Sequence, residues 1–203
     1  MASGFGFLRS LRFGEPVVIV SGLPRSGTSM CMKMLEAADI PIVQDGIRTA
    51  DVDNPKGYFE YEKVKDLDKG GDNSWISEAR GKAIKIISFL LPHLPPENNY
   101  KIIFMRRDID EILASQNKML DHRSEENVVE DERMKKVYAD HLIKVFSMLK
   151  YRDEMDFIEI KYNDVLSNPR PEAERINRFL GGQYSVDKMT AVVDPSLYRN
   201  RKK

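Results

Sequence analysis

The sequence predicts a three-layered α/β fold, a parallel sheet of about four to five strands with helices on both faces. Three observations carry this. Short apolar runs at 17–21, 83–87, 101–105 and 157–160 alternate with longer stretches of helical periodicity. The first run, Val17-Val18-Ile19-Val20-Ser21, breaks into a glycine loop that opens directly into a helical pattern. No internal repeat, low-complexity tract or linker interrupts the alternation, so residues 1–203 are expected to form one domain.

The elements follow in order. Residues 17–21 are β-branched and continuously apolar, the pattern of a buried strand. Cys31, Met34, Leu35 and Ala38 fall on one face of a helix from about Thr28 to Ala38. A short strand fits Pro41 to Val43, and the turn signals Asp45-Gly46 and Asn54-Pro55-Lys56-Gly57 make 44–57 a loop. Short helices fit 60–69 and 73–80, and Ala83 to Ile87 is a second strand. The proline-rich 91–99 is a connection, and Lys101 to Met105 a third strand that ends in Arg106-Arg107-Asp108. Ile109, Ile112, Leu113, Gln116, Met119 and Leu120 stripe the next helix. The charged 121–136 is a solvated loop or helix start, and Met134, Val137, His141, Val145 and Met148 define a long amphipathic helix. Phe157 to Ile160 is a fourth strand, and Pro171 to Leu180 a helix stopped by Gly181-Gly182.

Composition narrows the function. Lys+Arg and Asp+Glu both number 32, for a formal net charge of zero. A general binder of nucleic acid or anionic membrane carries a basic excess, so any anion site is local. The single cysteine, Cys31, permits no intrachain disulfide and fits a reducing compartment. Met1 to Pro16 lacks a secretory pattern, and no run reaches the roughly 20 apolar residues of a membrane span. A cytoplasmic location is the expectation.

The glycine loop carries the chemistry. Ser21-Gly22-Leu23-Pro24-Arg25-Ser26-Gly27-Thr28-Ser29 has the layout of a P-loop, with Gly22 and Gly27 at the G-x-x-x-x-G spacing and Ser29 as the final hydroxyl. Thr28 stands where a nucleoside-triphosphate loop has lysine, and the cation, Arg25, lies inside the loop. Glycines let the backbone approach an oxyanion, helix N–H groups point at it, and Arg25, Thr28 and Ser29 add one charge and two hydroxyls. A second anion element follows the third strand: Arg107, and Ser115 eight residues on, in the next helix. Arginine grips phosphate bidentately and a serine hydroxyl completes the shell. In parallel α/β sheets ligands sit at the carboxyl ends of the strands, where both elements fall. A ligand with two separated anionic groups is implied.

These residues resemble the sulfotransferases that use 3′-phosphoadenosine 5′-phosphosulfate (PAPS). Leu23-Pro24-Arg25-Ser26-Gly27-Thr28-Ser29 is similar to the arginine version of the family's 5′-phosphosulfate loop, seen in tyrosylprotein and many bacterial members. Arg107 and Ser115 match the spacing of the 3′-phosphate element. Asp53-Asn54-Pro55-Lys56-Gly57-Tyr58-Phe59-Glu60 resembles a bacterial Asn-Pro-x-Gly-aromatic-aromatic-Glu segment. Lys161-Tyr162-Asn163-Asp164-Val165-Leu166, with Pro169 and Phe179-Leu180-Gly181, resembles a later stretch whose tyrosine lies near adenine. The likeness runs from residue 17 to about 199, where Arg199 loosely matches a basic segment at the 3′-phosphate.

The resemblance implies a P-loop-like fold and sulfuryl transfer from PAPS to an acceptor hydroxyl or amine, without a metal. Pro24, Arg25, Ser26, Gly27, Thr28, Ser29, Arg107, Ser115, Tyr162 and Arg199 would hold the donor, and Arg25 and Lys85 would stabilise charge at the transfer. The family's Lys-x-His is here Lys85-Ile86-Ile87, so the histidine is missing, and His93 lies six residues further on in a loop. Glu60 is the first candidate for the acceptor's proton, with Asp45 and Glu62 behind it. Tyr58, Phe59, Tyr61 and Trp75 are candidates for an acceptor pocket. The resemblance implies a small-molecule or peptide acceptor, with small metabolite, lipid, sugar and peptide all open. Asn163 replaces the family's glutamate and leaves the adenine side open. Two alternatives stand beside this reading. One is a P-loop kinase or NTPase, opposed by Thr28 and by a third strand ending in Arg106-Arg107 rather than a metal-binding Asp. The other is a nucleotide-binding module without turnover.

Overall fold

A computed structural model describes residues 11–47, 59–123 and 130–194, with side chains omitted at 121–123. Arg199, Tyr58 and the segment 53–57 lie outside the described residues. Five strands form one parallel sheet: β1 (Val17–Gly22), β2 (Ile42–Val43), β3 (Ala83–Lys85), β4 (Tyr100–Arg106) and β5 (Met155–Lys161), in the order β2-β3-β1-β4-β5. The α/β prediction and the parallel sheet both hold.

β1 is central and buried along its whole length. Its alternation sorts the core: Val17 and Ile19 join one apolar cluster, Val18 and Val20 the other. On the first face lie α2 (Ile109–Arg123), α3 (Asp131–Tyr151) and the 3-10 turns at 62–66, 74–79 and 88–93. On the second lie α1 (Thr28–Ala37), α4 (Tyr162–Ser167), α5 (Pro169–Phe179) and α6 (Val186–Ala191). After β1 the chain builds β2 and β3 on one side, then crosses back to β4 and β5 on the other. The loop after β1 therefore sits at the switch point of the sheet, the place where open α/β sheets bind ligands outside the strands' carboxyl ends.

Four details depart from the sequence reading. The second strand stops at Lys85, and Ser88–His93 is a 3-10 turn. β2 pairs only with Ala83 and Ile84, and past Lys85 the Ile86 N–H donates to the Val20 carbonyl. The short helices expected over 60–69 and 73–80 form as 3-10 turns that cover only 62–66 and 74–79. The buried face of α3 is Tyr138, Leu142, Val145 and Leu149, with Val137 46% exposed. The predicted stripe and this one share their spacing, and periodicity does not choose between adjacent faces that both carry apolar residues. Finally, α4 and α6 were not anticipated: each has six residues, too few for the pattern to show.

Candidate functional site

The loop between β1 and α1 is shaped by close approach. A Cβ at Gly22 would stand 2.4 Å from the Ser26 hydroxyl and 2.6 Å from the Met105 carbonyl of the neighbouring strand. One at Gly27, where φ is 99°, would stand 2.4 Å from the Tyr162 ring. Both positions require glycine. Gly27 is also the N-cap of α1, and having no side chain it leaves the first helical turn uncapped from within. Arg25 takes φ 66°, a left-handed conformation uncommon for a non-glycine residue. Such strain persists only where its surroundings impose it.

Those surroundings are the second anion element. The Arg25 Nε–H donates to Ser115 Oγ at 3.1 Å. Arg107 Nη1 donates to the Arg25 carbonyl at 3.1 Å, and its Nε to Glu111 Oε2 at 3.1 Å. The Arg107 guanidinium lies 4.5 Å from the centre of the Tyr162 ring. Arg107 and Glu111 keep only 6% and 4% of their side-chain surface exposed. Burial pushes the Tyr162 hydroxyl above its ordinary pKa, with Arg107 acting in the opposite sense. The elements predicted separately thus form one cluster of Arg25, Arg107, Glu111, Ser115 and Tyr162. The neighbouring Arg106 turns to the other face, over the Phe146 ring and within 3.7 Å of Glu159.

Three buried side-chain oxygens among the described residues lack a hydrogen-bond partner: Ser21 Oγ, Ser26 Oγ and Asn163 Oδ1. Ser21 and Ser26 belong to the end of β1 and its loop, and Asn163 to the first turn after β5. All three lie at the carboxyl edge of the sheet. Buried polar atoms are normally satisfied, so each of these oxygens is open to a polar atom from outside the chain. The donor set (hydroxyls, arginine and a helix N-terminus) suits an oxyanion.

Lys85 ends β3 beside β1, in register with Val20. Its ammonium meets the Glu60 carboxylate at 3.5 Å, with 10% and 23% of the side chains exposed. Phe59, just before Glu60, has φ 52°, a rare conformation for a bulky side chain. Asp45 clamps this turn: its N–H donates to the Glu60 carbonyl at 3.2 Å, and its carboxylate accepts the Glu62 N–H at 2.6 Å. The N–H groups of Ile47 and Glu62 hold its carboxyl below the usual range, which suits a turn clamp and not a base. Glu62 pairs with Lys65 at 2.7 Å. Of the three carboxylates considered, Glu60 is the one against Lys85. Of the aromatic candidates, Phe59 is buried in the second cluster, and Tyr61 packs edge-on against Trp75 at 5.3 Å beside the first.

The sequence reading missed two partners. Glu111 lies one helical turn after Arg107, and that spacing was the available signal. The apolar stripe predicted for the long helix includes His141. That histidine is half-buried, within 2.9 Å of the Ser88 hydroxyl and stacked on Phe89 with ring centres 3.7 Å apart. Burial, aided by Lys144, lowers its pKa below 6.5. No group of three or more His, Cys, Asp or Glu side chains suited to a metal occurs among the described residues. Nor is any helix among them long and apolar enough to cross a membrane.

A parallel α/β sheet with an arginine-bearing, lysine-free glycine loop at its switch point defines a protein of P-loop-like fold. The sulfotransferase domain family matches residues 15–203, and the chain belongs to that family. Among solved structures, it is similar to the sulfotransferase domain from the Synechococcus PCC 7002 olefin synthase, at 15% identity and a TM-score of 0.54. That match covers 93% of this chain and 89% of the other. It is also similar to the sulfotransferase domain from the curacin biosynthetic pathway, at 14% identity and a TM-score of 0.50, covering 89% and 78%. At these identities the likeness concerns the fold. No curated protein sequence matches the chain.

Proposed function

We propose that the protein transfers a sulfuryl group from PAPS to the hydroxyl or amine of a small-molecule or peptide acceptor, acting as one domain. The observation that carries this is the unpartnered Ser26 hydroxyl, buried in a loop whose Arg25 is bonded to the second anion element. Family membership supplies the reaction class.

The roles proposed are those the family resemblance suggests. The loop from Pro24 to Ser29 and the start of α1 take the 5′-phosphosulfate. Arg107, Ser115 and the late Arg199 take the 3′-phosphate, and Tyr162 stands on the adenine side. In the displacement the acceptor oxygen forms a bond to sulfur as the bond from sulfur to the phosphate oxygen breaks, and the leaving group is 3′,5′-bisphosphoadenosine (PAP). Such a step is accelerated by alignment and by fixed charge where charge develops. Arg25 serves the transferring group and Lys85 the bridging oxygen. Glu60, held at Lys85, accepts the acceptor's proton. This chemistry uses no metal.

Turnover of sulfur-labelled PAPS with a library of alcohols, phenols and amines tests the reading. Labelled product that depends on both PAPS and acceptor is expected. PAP binding without transfer to any acceptor would leave a nucleotide-binding module.

A further inference from the structure

Glu60 is held at its backbone as well as at its carboxylate. Its neighbours in the chain join opposite cores: Phe59 is 7% exposed within the second cluster, and Tyr61 packs beside the first with Trp75. Asp45 then brackets Glu60 on both sides. Its N–H donates to the Glu60 carbonyl at 3.2 Å, and its Oδ2 accepts the Glu62 N–H at 2.6 Å. Its Oδ1 accepts the Ile47 N–H at 3.0 Å, which fixes the carboxylate itself. Asp45 follows β2 by two residues, and Lys85 closes β3, the strand to which β2 is paired through Ile42–Ala83 and Val43–Ile84. Two adjacent strands thus deliver the two groups that hold Glu60: Asp45 its backbone, Lys85 its carboxylate at 3.5 Å. β2 has only two residues, both half-buried, and its pairing with β3 sets where Asp45 stands. Asp45 is exposed, so water can satisfy the N–H groups that its carboxylate releases, and the fold has little to lose by its removal. The position of Glu60 has more to lose. Phe59 is held at φ 52°, a conformation that a bulky residue keeps only while its surroundings impose it.

We propose that Asp45 is a positioning residue for the transfer step, its carboxylate setting where Glu60 stands relative to Lys85 and to the acceptor's proton. This rests on the role proposed above for Glu60 and adds the device that aims it. Without the bonds at Oδ1 and Oδ2, the turn from Phe59 to Glu62 relaxes and Glu60 leaves the line of the reacting hydroxyl or amine. Donor binding is spared, because the glycine loop follows β1 and the Arg107 cluster follows β4, not β2. A displacement of about 1 Å at a reacting group costs up to about 10²-fold in rate.

Steady-state turnover of sulfur-labelled PAPS, beside calorimetric binding of PAP, tests this in the wild type, Asp45→Ala, Asp45→Asn, Glu60→Gln and the double variant of Asp45→Ala with Glu60→Gln. The acceptor is the alcohol, phenol or amine that gives the wild type most product. Asp45→Ala is expected to lower kcat by about 10- to 100-fold, with PAP affinity and the KM for PAPS unchanged. Asp45→Asn, whose amide oxygen still accepts one of the two N–H groups, recovers part of that loss. Once Glu60 is glutamine, Asp45→Ala adds little, because there is no base left to aim. Losses that multiply overturn the proposal, since a clamp that served only the fold would slow both backgrounds alike. Wild-type kcat in Asp45→Ala overturns it too, as does PAP affinity that falls along with kcat. Should Asp45→Ala fail to fold, Asp45→Asn carries the same cycle. A loss in Glu60→Gln with none in Asp45→Ala overturns only the positioning. Unchanged turnover in Glu60→Gln overturns the role of Glu60 itself, and no labelled product from the wild type overturns the transfer reading.

Discussion

At Arg107 a guanidinium sits in a nearly dry place and Glu111 neutralises it. Breaking a buried pair by removing one partner leaves an uncompensated charge and costs about 3–5 kcal/mol. Glu111→Ala is therefore expected to lower stability by about that amount, read from urea unfolding, and Glu111→Gln by less, because the amide still accepts a hydrogen bond. Equal stability of Glu111→Ala and wild type would mean that the pair does not hold Arg107. Glu60 makes the opposite demand: it is partly exposed beside Lys85, where the role proposed for it concerns the reaction more than the fold. Glu60→Gln is expected to lower turnover by about 10²–10⁴-fold, the range of a lost general base, with PAP affinity unchanged. Wild-type turnover in Glu60→Gln would assign the proton to another group.

Among the elements, α3 meets the turn after β3 through apolar packing and one imidazole. The His141–Ser88 bond and the Phe89 stack fasten these pieces together, with Tyr138 at 6.2 Å from Phe89 and donating to Gln116 of α2. Because burial lowers the His141 pKa, the unfolded chain binds a proton more readily than the folded one. Stability from this group is complete above the ordinary value of 6.5 and is lost as pH falls below it toward the folded pKa. His141→Gln is expected to flatten the decline in melting temperature between neutral and mildly acidic pH. An unchanged slope would show that other groups set it. The elements also show what sequence pattern conveys. The continuous apolar runs of β1 and β4 announced the buried strands, and the Gly22–Gly27 spacing announced the loop, because close backbone approach leaves room for nothing larger. The end of β3, the face of α3 and the two six-residue helices depend on contacts between distant segments, which no local period records. The fastening of Arg25 to Ser115 is of that kind: the residues are 90 positions apart.

For the molecule as a whole, the two faces of the sheet give a core with Cys31 at its centre on the α1 side, fully buried. Burial pushes its thiol up to about 12. It is the only cysteine in the sequence, so its reactivity reports opening of the second core as a single signal. A disulfide reagent is expected to label the native protein at the rate of global unfolding, and PAP to slow labelling in proportion to its binding. Rapid labelling under native conditions would place α1 in a loosely held layer. Around that core the carboxyl edge carries the loop, the Arg107 cluster, the Lys85–Glu60 pair and the unpartnered oxygens of Ser21, Ser26 and Asn163. These groups make the edge at which the proposed donor, a nucleotide with two anionic ends, would bind. The most direct measurement is calorimetric titration of the protein with PAP in EDTA, beside ATP with Mg²⁺. Saturable, metal-independent PAP binding, with ATP·Mg²⁺ much weaker, is predicted. Binding of ATP·Mg²⁺ with no detectable binding of PAP would contradict it.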